Sequence, residues 1–159
     1  MRQADVFTLL FRRNQDAILR ATDGLIHSDS LLQLPGNSNC LNWVLGHVAV
    51  YRDAMLAGIC QPGLVGASER KLYNYGSKRI VAGSEAVRLE RLLEVLDDGF
   101  EALSGWLESN PTRLEDSTPL DLEIRRGATV TEHFAVLCWH ESNHIGELHA
   151  LRELALLQA

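Results

Sequence analysis

Apolar residues recur at helical spacing through most of this 159-residue chain, and no segment alternates with the two-residue period of a strand. The pattern predicts four helices, over residues 3–22, from Ser38 or Asn39 to Met55, over 85–109 and over 130–157. Glu132 follows Thr129 by three residues, the spacing of a capping box, which marks the start of the last helix. The predicted fold is all-α: one four-helix bundle domain over residues 1–159.

Two connections between the predicted helices are long. Residues 60–83 join the second helix to the third, and residues 110–128 join the third to the fourth. Connections of this length in a compact domain are often functional or cross the fold. Tyr73, Tyr75 and Arg79 in the first connection are therefore candidate substrate contacts, although tyrosines in such loops more often pack against the end of a bundle. In the second connection, residues 118–124 suggest a short extended piece.

Charge and hydropathy argue against two classes of partner. The formal net charge is −6 and the basic residues are scattered, so we do not expect the phosphate neutralisation that nucleic-acid binding requires. No apolar run approaches the ~18 residues of a membrane span, and the first residues do not resemble an export signal. Cys40, Cys60 and Cys138 are an odd and widely spaced set, typical of reduced thiols. We expect a cytoplasmic protein.

His140 and His144 stand four residues apart in the last predicted helix. Four residues turn an α-helix by about 400°, so both imidazoles project from one face about 6 Å apart. Leu137, Leu148 and Leu151 fall on the same stripe, which places the pair inside the bundle. Because an unpartnered interior polar group costs about 1–3 kcal/mol, a shared divalent ion would satisfy both rings at once.

His47 is the candidate third ligand, since it shares an apolar helix face with Trp43, Val44 and Tyr51. It lies about as far into its helix as His140 lies into the last one, so the rings meet near mid-bundle if the two helices run parallel. Three protein ligands with an open position are typical of a reactive metal site. The alternative is that these histidines bind no metal and are core residues whose ring nitrogens form hydrogen bonds with backbone groups.

Other possible ligands are less well placed. His133 lies on the stripe of His140 but two turns away, about 10.5 Å along the axis. At this distance it can line the mouth of a cavity, but we do not expect it to bind the same ion. Cys40 has the same two-turn offset from His47, and His27 and His149 are expected at the surface.

Residues 140–144 also match H-E-x-x-H, the zinc-binding motif of metalloproteases. A zinc peptidase is disfavoured, because only fifteen residues follow His144 and no break among them could return a third ligand. No convincing strand precedes the helix to pair with a peptide. Glu141 is expected to flank the buried stripe and bond to a neighbouring helix; a role as base or as support for a ligand is the alternative.

Residues 42–47, Asn-Trp-Val-Leu-Gly-His, and residues 139–148, with their H-x-x-x-H-x-G-[QE]-[LI] pattern, resemble the DinB-like superfamily of damage-inducible four-helix metalloproteins. The resemblance implies a divalent ion, zinc or nickel, bound by His47, His140 and His144, and a homodimer. Where activities are known in this superfamily, they include metal-assisted transfer or isomerisation with low-molecular-weight thiols such as mycothiol or bacillithiol. Glu147 stands where many relatives have glutamine.

Three functions follow as hypotheses. The first is a metal-dependent enzyme, a transferase, isomerase or hydrolase, in which the ion activates a thiol or water toward a small-molecule substrate. The second is a non-catalytic metal- or ligand-binding bundle of a stress response. The third is a structural dimer whose histidines hold no metal, for which His47→Ala would leave metal content and stability nearly unchanged.

Overall fold

The computed structural model describes residues 2–34, 36, 38–81, 83–119 and 128–158. Within these residues the regular structure is helical and contains six α-helices: α1 Gln3–Thr22, α2 His27–Ser30, α3 Leu41–Gly58, α4 Ala67–Tyr73, α5 Leu89–Ser109 and α6 Val130–Gln158. A 3-10 turn, Arg113–Glu115, follows α5. The all-α prediction is confirmed. The predicted number of helices was incomplete, because α2 and α4 lie in the connections.

The long helices α1, α3, α5 and α6 correspond to the four predicted ones. The start of α6 follows the predicted capping box: the Thr129 N–H donates to Glu132 Oε2 at 2.9 Å, and the Glu132 N–H donates to Thr129 Oγ1 at 3.2 Å. Helix α5 begins at Leu89, later than predicted. None of the helices in the described part of the chain has both the length and the apolar character needed to cross a bilayer.

Helix α4 has only seven residues and is held by contacts with other elements. Arg70 forms an ion pair with Asp53 of α3, and Arg91 of α5 lies 3.4 Å from Glu69. Asp53 also accepts a hydrogen bond from the Leu64 N–H at 2.6 Å. An isolated helix this short is not stable in water, so tertiary contacts determine α4 and helical periodicity does not reveal it.

The long helices surround the core, with α1 and α3 each packed against both α5 and α6. Two apolar clusters fill the interior. The first contains Trp43, Val44, Val48, Leu92, Leu96 and Leu148. The second contains Phe7, Phe11, Met55, Phe100, Leu103 and Phe134. Along α3 the first cluster ends at Val50 and the second begins at Met55, so the residues between them lie at the boundary of the two clusters.

Helices α3 and α6 run antiparallel. Near the end of α3, Ala54 accepts a hydrogen bond at 3.0 Å from Nε2 of His133, which lies near the start of α6. Earlier in α3, the His47 ring lies 5.0 Å from that of His144, farther along α6. The parallel arrangement considered from the sequence is therefore wrong. The rings still meet, because α6 is 29 residues long and carries its histidine pair near its middle.

The two ends of the connection between α5 and α6 are paired with each other by backbone hydrogen bonds. Ser117 and Thr129 form an isolated antiparallel bridge, and the Thr118 N–H donates to the Ala128 carbonyl at 2.9 Å. The extended piece predicted for residues 118–124 lies mostly outside the described residues.

Candidate metal centre

The three predicted ligands converge between α3 and α6. The ring centroid of His47 lies 5.1 Å from that of His140 and 5.0 Å from that of His144, and the last two lie 4.6 Å apart. One ring nitrogen from each residue lies within 4.8 Å of the other two. His47 is buried and the other two are half-buried, so the cluster is open on the α6 side.

His47 is held by a hydrogen bond and by stacking. Its Nδ1 lies 2.7 Å from the carbonyl oxygen of Tyr73, at the end of α4. A carbonyl only accepts, so Nδ1–H donates and Nε2 carries the lone pair of the neutral ring. The Trp43 indole stacks on the imidazole at 4.6 Å and 16°. Both contacts leave Nε2 as the atom available to a metal.

His144 is oriented by a carboxylate. Its Nδ1 lies 2.6 Å from Oε2 of Glu147, and its Nε2 lies 3.2 Å from Nε2 of His140. A carboxylate on the far nitrogen sets the tautomer and raises the basicity of the nitrogen that faces the metal. His144 therefore has the partner that metal-binding histidines typically have.

His140 is held by packing. The Tyr51 ring stacks on it at 4.1 Å and 28°. Its Nδ1 is buried with no hydrogen-bond partner among the described residues. Burial, together with the neighbouring rings of His144 and His47, lowers the pKa of His140 to about 4. Burial also lowers the pKa of His47. Both rings are thus in the neutral, ligand-competent form at neutral pH.

This donor set fits a divalent ion. Two nitrogens bound at about 2.0–2.1 Å in a tetrahedral site lie roughly 3.3 Å apart, close to the 3.2 Å between the two Nε2 atoms of α6. Three imidazoles without a carboxylate suit ions such as zinc, copper and nickel more than magnesium or calcium. Three protein ligands leave at least one coordination position for another molecule.

A family model and a solved structure are similar to this chain. A model of the DinB superfamily matches residues 10–148, a range that includes all three histidines. The chain belongs to the DinB superfamily. Its fold is similar to that of a crystal structure described as a conserved protein from Enterococcus faecalis, with a TM-score of 0.72, 12% identity and 98% of each chain covered. No curated protein matches the chain.

The DinB-like stretch at residues 42–47 docks α4 against α3. A Cβ on Gly46 would lie 2.3–2.6 Å from the Tyr73 ring, so only glycine allows the ring this close. The Tyr73 hydroxyl donates to Asn42 Oδ1 at 2.8 Å and accepts from the Val87 N–H at 2.8 Å. This packing brings the Tyr73 carbonyl to His47.

Two of the predicted substrate contacts lie on the surface and the third does not. Tyr73 is buried, with both hydrogen bonds of its hydroxyl made inside the protein, and burial raises its pKa to about 12. Its side chain packs inside the bundle, which agrees with the alternative role considered for tyrosines in this connection. Tyr75 is 88% exposed, and Arg79 is exposed and donates to the Gly36 carbonyl at 3.3 Å. Their contact with substrate stays a prediction.

Glu141 is turned away from solvent and bound to α3. Its Oε1 lies 2.7 Å from Arg52 Nη2, and its Oε2 lies 3.0 Å from Arg52 Nε. The expectation of a bond to a neighbouring helix agrees with this contact. The partner, Arg52, was not identified from the sequence, because an arginine inside an apolar helix pattern gives no sign of which helix it will bind.

The remaining candidates take other positions. His133 is fully buried and donates to the Ala54 carbonyl; it does not line a cavity mouth, and as expected it is not part of the three-histidine cluster. His27 was expected at the surface; it is half-buried, and its Nδ1 accepts from the Leu89 N–H at 3.2 Å, at the start of α5. His149 is exposed. Cys40 is buried at the start of α3.

The cysteines are free thiols, as expected. Cys40 and Cys138 are buried, and burial raises the pKa of both, that of Cys138 to about 11. Cys60 is exposed. The two buried thiols are poor nucleophiles, since the thiolate is the reactive form.

Proposed function

We propose that this chain is a metal-dependent enzyme that acts on a small molecule. His47, His140 and His144 would hold a divalent ion, zinc or nickel, in a bundle of the four long helices. The reaction would be a transfer, an isomerisation or a hydrolysis, with a low-molecular-weight thiol as the preferred co-substrate. The observation that carries the proposal is the convergence of three imidazole nitrogens within 4.8 Å of one another.

The protein groups around the cluster support an open, reactive site. Tyr73 and Glu147 orient two of the rings, and Tyr51 packs on the third. When bound, the ion supplies Lewis acidity, which lowers the pKa of a thiol or a water. The rings of His140 and His144 are only partly buried, which leaves a side through which a small substrate would reach the open position.

A small cavity lies beside the carboxylate that partners His144. It has a volume of about 260 Å³ and includes Glu147, the partner of His144, in its wall. The other lining residues are mostly apolar and come from the loop before α3, from α3 and from α6: Leu34, Ser38, Asn39, Val44, Ala150 and Leu151. Apolar walls with a few polar groups are typical of ligand pockets.

A non-catalytic metal-binding role is the second candidate. The glutamate of the H-E-x-x-H pattern is the base in metalloproteases. Here Glu141 is bound by Arg52 at 2.7 and 3.0 Å, which argues against a peptidase and leaves this carboxylate unable to serve the ion as a base. A stress-response bundle that binds metal or ligand without turnover would need no such base.

Elemental analysis of protein purified without a histidine tag tests the site. We expect about one divalent ion per chain in the wild type and none in His140→Ala. Metal-loaded protein is then assayed with low-molecular-weight thiols and electrophilic acceptors. Thiol-dependent turnover that disappears in the variant supports the enzyme, and metal without turnover across this panel supports the second candidate. Equal metal content in the two proteins contradicts both.

The homodimer and the cytoplasmic location stay predictions. For the homodimer, support comes from one face of α1 and α6, where Trp139, which is 67% exposed, lies beside the exposed Leu10. An apolar groove of about 280 Å³ lies on the same face, lined by Phe7, Leu10, Ala135, Cys138, Trp139 and Ser142. A protruding indole and a groove on one face can pair with those of a second copy about a two-fold axis.

A further inference from the structure

One arginine side chain connects all four long helices. Arg52, on α3, is 2% exposed, and its guanidinium binds both carboxylate oxygens of Glu141, on α6, which is 1% exposed. Its Nη1 donates to Gln15 Oε1, on α1, at 2.6 Å and to the Leu96 carbonyl, on α5. Gln15 in turn donates to Asp97 Oδ1 at 3.3 Å. We call Arg52, Glu141 and Gln15 the arginine hub.

The arginine hub lies directly beside the metal centre. Arg52 follows Tyr51, Glu141 follows His140, and the Tyr51 and His140 rings stack at 4.1 Å. His47 precedes Arg52 by five residues, about 7.5 Å along the axis. The hub therefore joins the two helices that carry the ligands within about one and a half turns of the ligands themselves.

To bind one metal ion, α3 and α6 must be aligned along their axes so that their histidines meet. Apolar packing alone defines this alignment poorly. A slip of α3 against α6 by one residue moves His47 by about 1.5 Å relative to the pair on α6. Metal–ligand distances tolerate about 0.2 Å. Apolar side chains accept alternative packings when their volume is conserved, whereas a bidentate arginine–carboxylate pair has one geometry.

Stability alone does not explain the arginine hub. A buried ion pair loses hydration on both groups, and its replacement by apolar residues of similar volume is often neutral or stabilising. We propose that Arg52 and Glu141 are positioning residues for the metal centre: they set the register of α3 against α6 so that His47 meets His140 and His144. The inference rests on the proposed metal function and adds residues that do not touch the ion.

The test compares metal binding with stability in a double variant, Arg52→Met with Glu141→Leu, which removes both charges and conserves volume. Untagged, metal-free protein is titrated with Zn²⁺ against a chromophoric chelator and with Co²⁺ by absorption spectroscopy. We expect helical content to stay close to wild type and the thermal midpoint to fall no further than in the stability control Leu103→Ala, since Gln15 loses one hydrogen-bond donor. Zn²⁺ affinity should fall about 10- to 100-fold, the usual loss for residues that support ligands, and the Co²⁺ spectrum should change.

Two further variants separate positioning from folding. Leu103→Ala removes apolar contacts in the second cluster, away from the metal centre, and should lower the thermal midpoint without changing Zn²⁺ affinity or the Co²⁺ spectrum. Arg52→Lys keeps the charge but loses the bidentate geometry, so its affinity should lie between those of wild type and the double variant. If the double variant does not fold, Arg52→Lys takes its place in the test.

The outcomes are distinguishable. If wild type binds no Zn²⁺ or Co²⁺, the proposed function fails, and this inference fails with it. If wild type binds metal and both hub variants bind it equally well with an unchanged Co²⁺ spectrum, only the inference is overturned. An equal loss of affinity in Leu103→Ala would also overturn it, because the effect would then follow stability and not register.

Discussion

Nδ1 of His144 lies 2.6 Å from Oε2 of Glu147, three residues farther along α6. The contact places a carboxylate behind a candidate ligand. A carboxylate partner makes the facing nitrogen more basic than an amide does. Glu147 also lies in the wall of the neighbouring cavity, so the same side chain contacts the candidate ligand His144 and lines that cavity.

Glu147→Gln should weaken metal binding without unfolding the protein. The amide can still accept from Nδ1 but carries no charge, so we expect Zn²⁺ affinity to fall by about tenfold, at the lower end for such partners. Competition titration measures the change. Glu153→Gln, on an exposed part of the same helix, is the matched control. Equal affinities for both variants would show that the charge on Glu147 does not matter to the site.

His47→Ala should abolish stabilisation by metal. A ligand that binds only the folded state adds about 2.7 kcal/mol at one hundred times its dissociation constant, so Zn²⁺ should raise the thermal midpoint of wild type. The variant should show no such rise, whereas His149→Ala, at an exposed position of α6, should behave as wild type. Calorimetry with and without Zn²⁺ measures both. A rise in His47→Ala as large as in wild type would exclude His47 as a ligand.

The metal-free protein should gain stability as pH rises from about 4 to 6.5. The pKa of His140 is lowered from 6.5 to about 4 in the folded state, and burial also lowers the pKa of His133. Between these values the unfolded chain binds more protons than the folded one, so the free energy of unfolding increases with pH and this contribution levels off above 6.5. Denaturant unfolding in the presence of a chelator measures the slope.

The control for that pH dependence is a pair of single variants. His140→Asn removes one of the titrating groups and should flatten the profile, whereas His149→Asn should leave it unchanged. A wild-type profile with no increase between pH 4 and 6.5 would mean that the buried imidazoles already carry protons in the folded protein.

Gly46→Ala should damage both packing and metal binding. The new Cβ would lie 2.3–2.6 Å from the Tyr73 ring, and overpacking of this kind costs about 1–3 kcal/mol. Displacement of Tyr73 also moves the carbonyl that orients His47. Gly105→Ala, on α5, has no heavy atom within 4 Å of the added Cβ and should be neutral or stabilising. Thermal melts and Zn²⁺ titration of both variants check this, and a Gly46→Ala protein as stable as Gly105→Ala would contradict it.

Trp139→Lys should dissociate the predicted homodimer. A charge at the centre of the apolar face of α1 and α6 opposes its own copy across a two-fold axis. Light scattering after size exclusion should show a dimer for wild type and a monomer for the variant. Tyr75→Lys, at the exposed tyrosine of the first connection, should remain dimeric. A wild-type monomer at all concentrations would rule out the homodimer.

The sequence was sufficient to predict elements with strong periodicity. The long helices, the capping box at Thr129 and Glu132, and the inward stripe of His140 and His144 all depend on local spacing. His47 was found because one apolar face of α3 contains it. These signals are properties of single helices, which is why they do not require knowledge of the tertiary fold.

Features that depend on contacts between elements were missed. Helix α4 is held by ion pairs from α3 and α5, and Tyr73 acts through its backbone carbonyl, which side-chain identity does not reveal. The antiparallel course of α3 and α6 was not determined by counting residues from each helix start. The partnership of Arg52 and Glu141 joins residues 89 positions apart, beyond any local pattern.

Helix α6 is a single continuous rod that carries two candidate ligands and the carboxylate behind one of them. The spacing of these groups along α6 is therefore constant. A shift of α3 relative to α6 would change the distance from His47 to His140 and His144. Insertions and deletions in the loop before α3, which lines the neighbouring cavity, would change the shape of that cavity without changing the spacing of the groups on α6. The wall of that cavity can therefore vary in sequence independently of the helix that holds His140 and His144 in place.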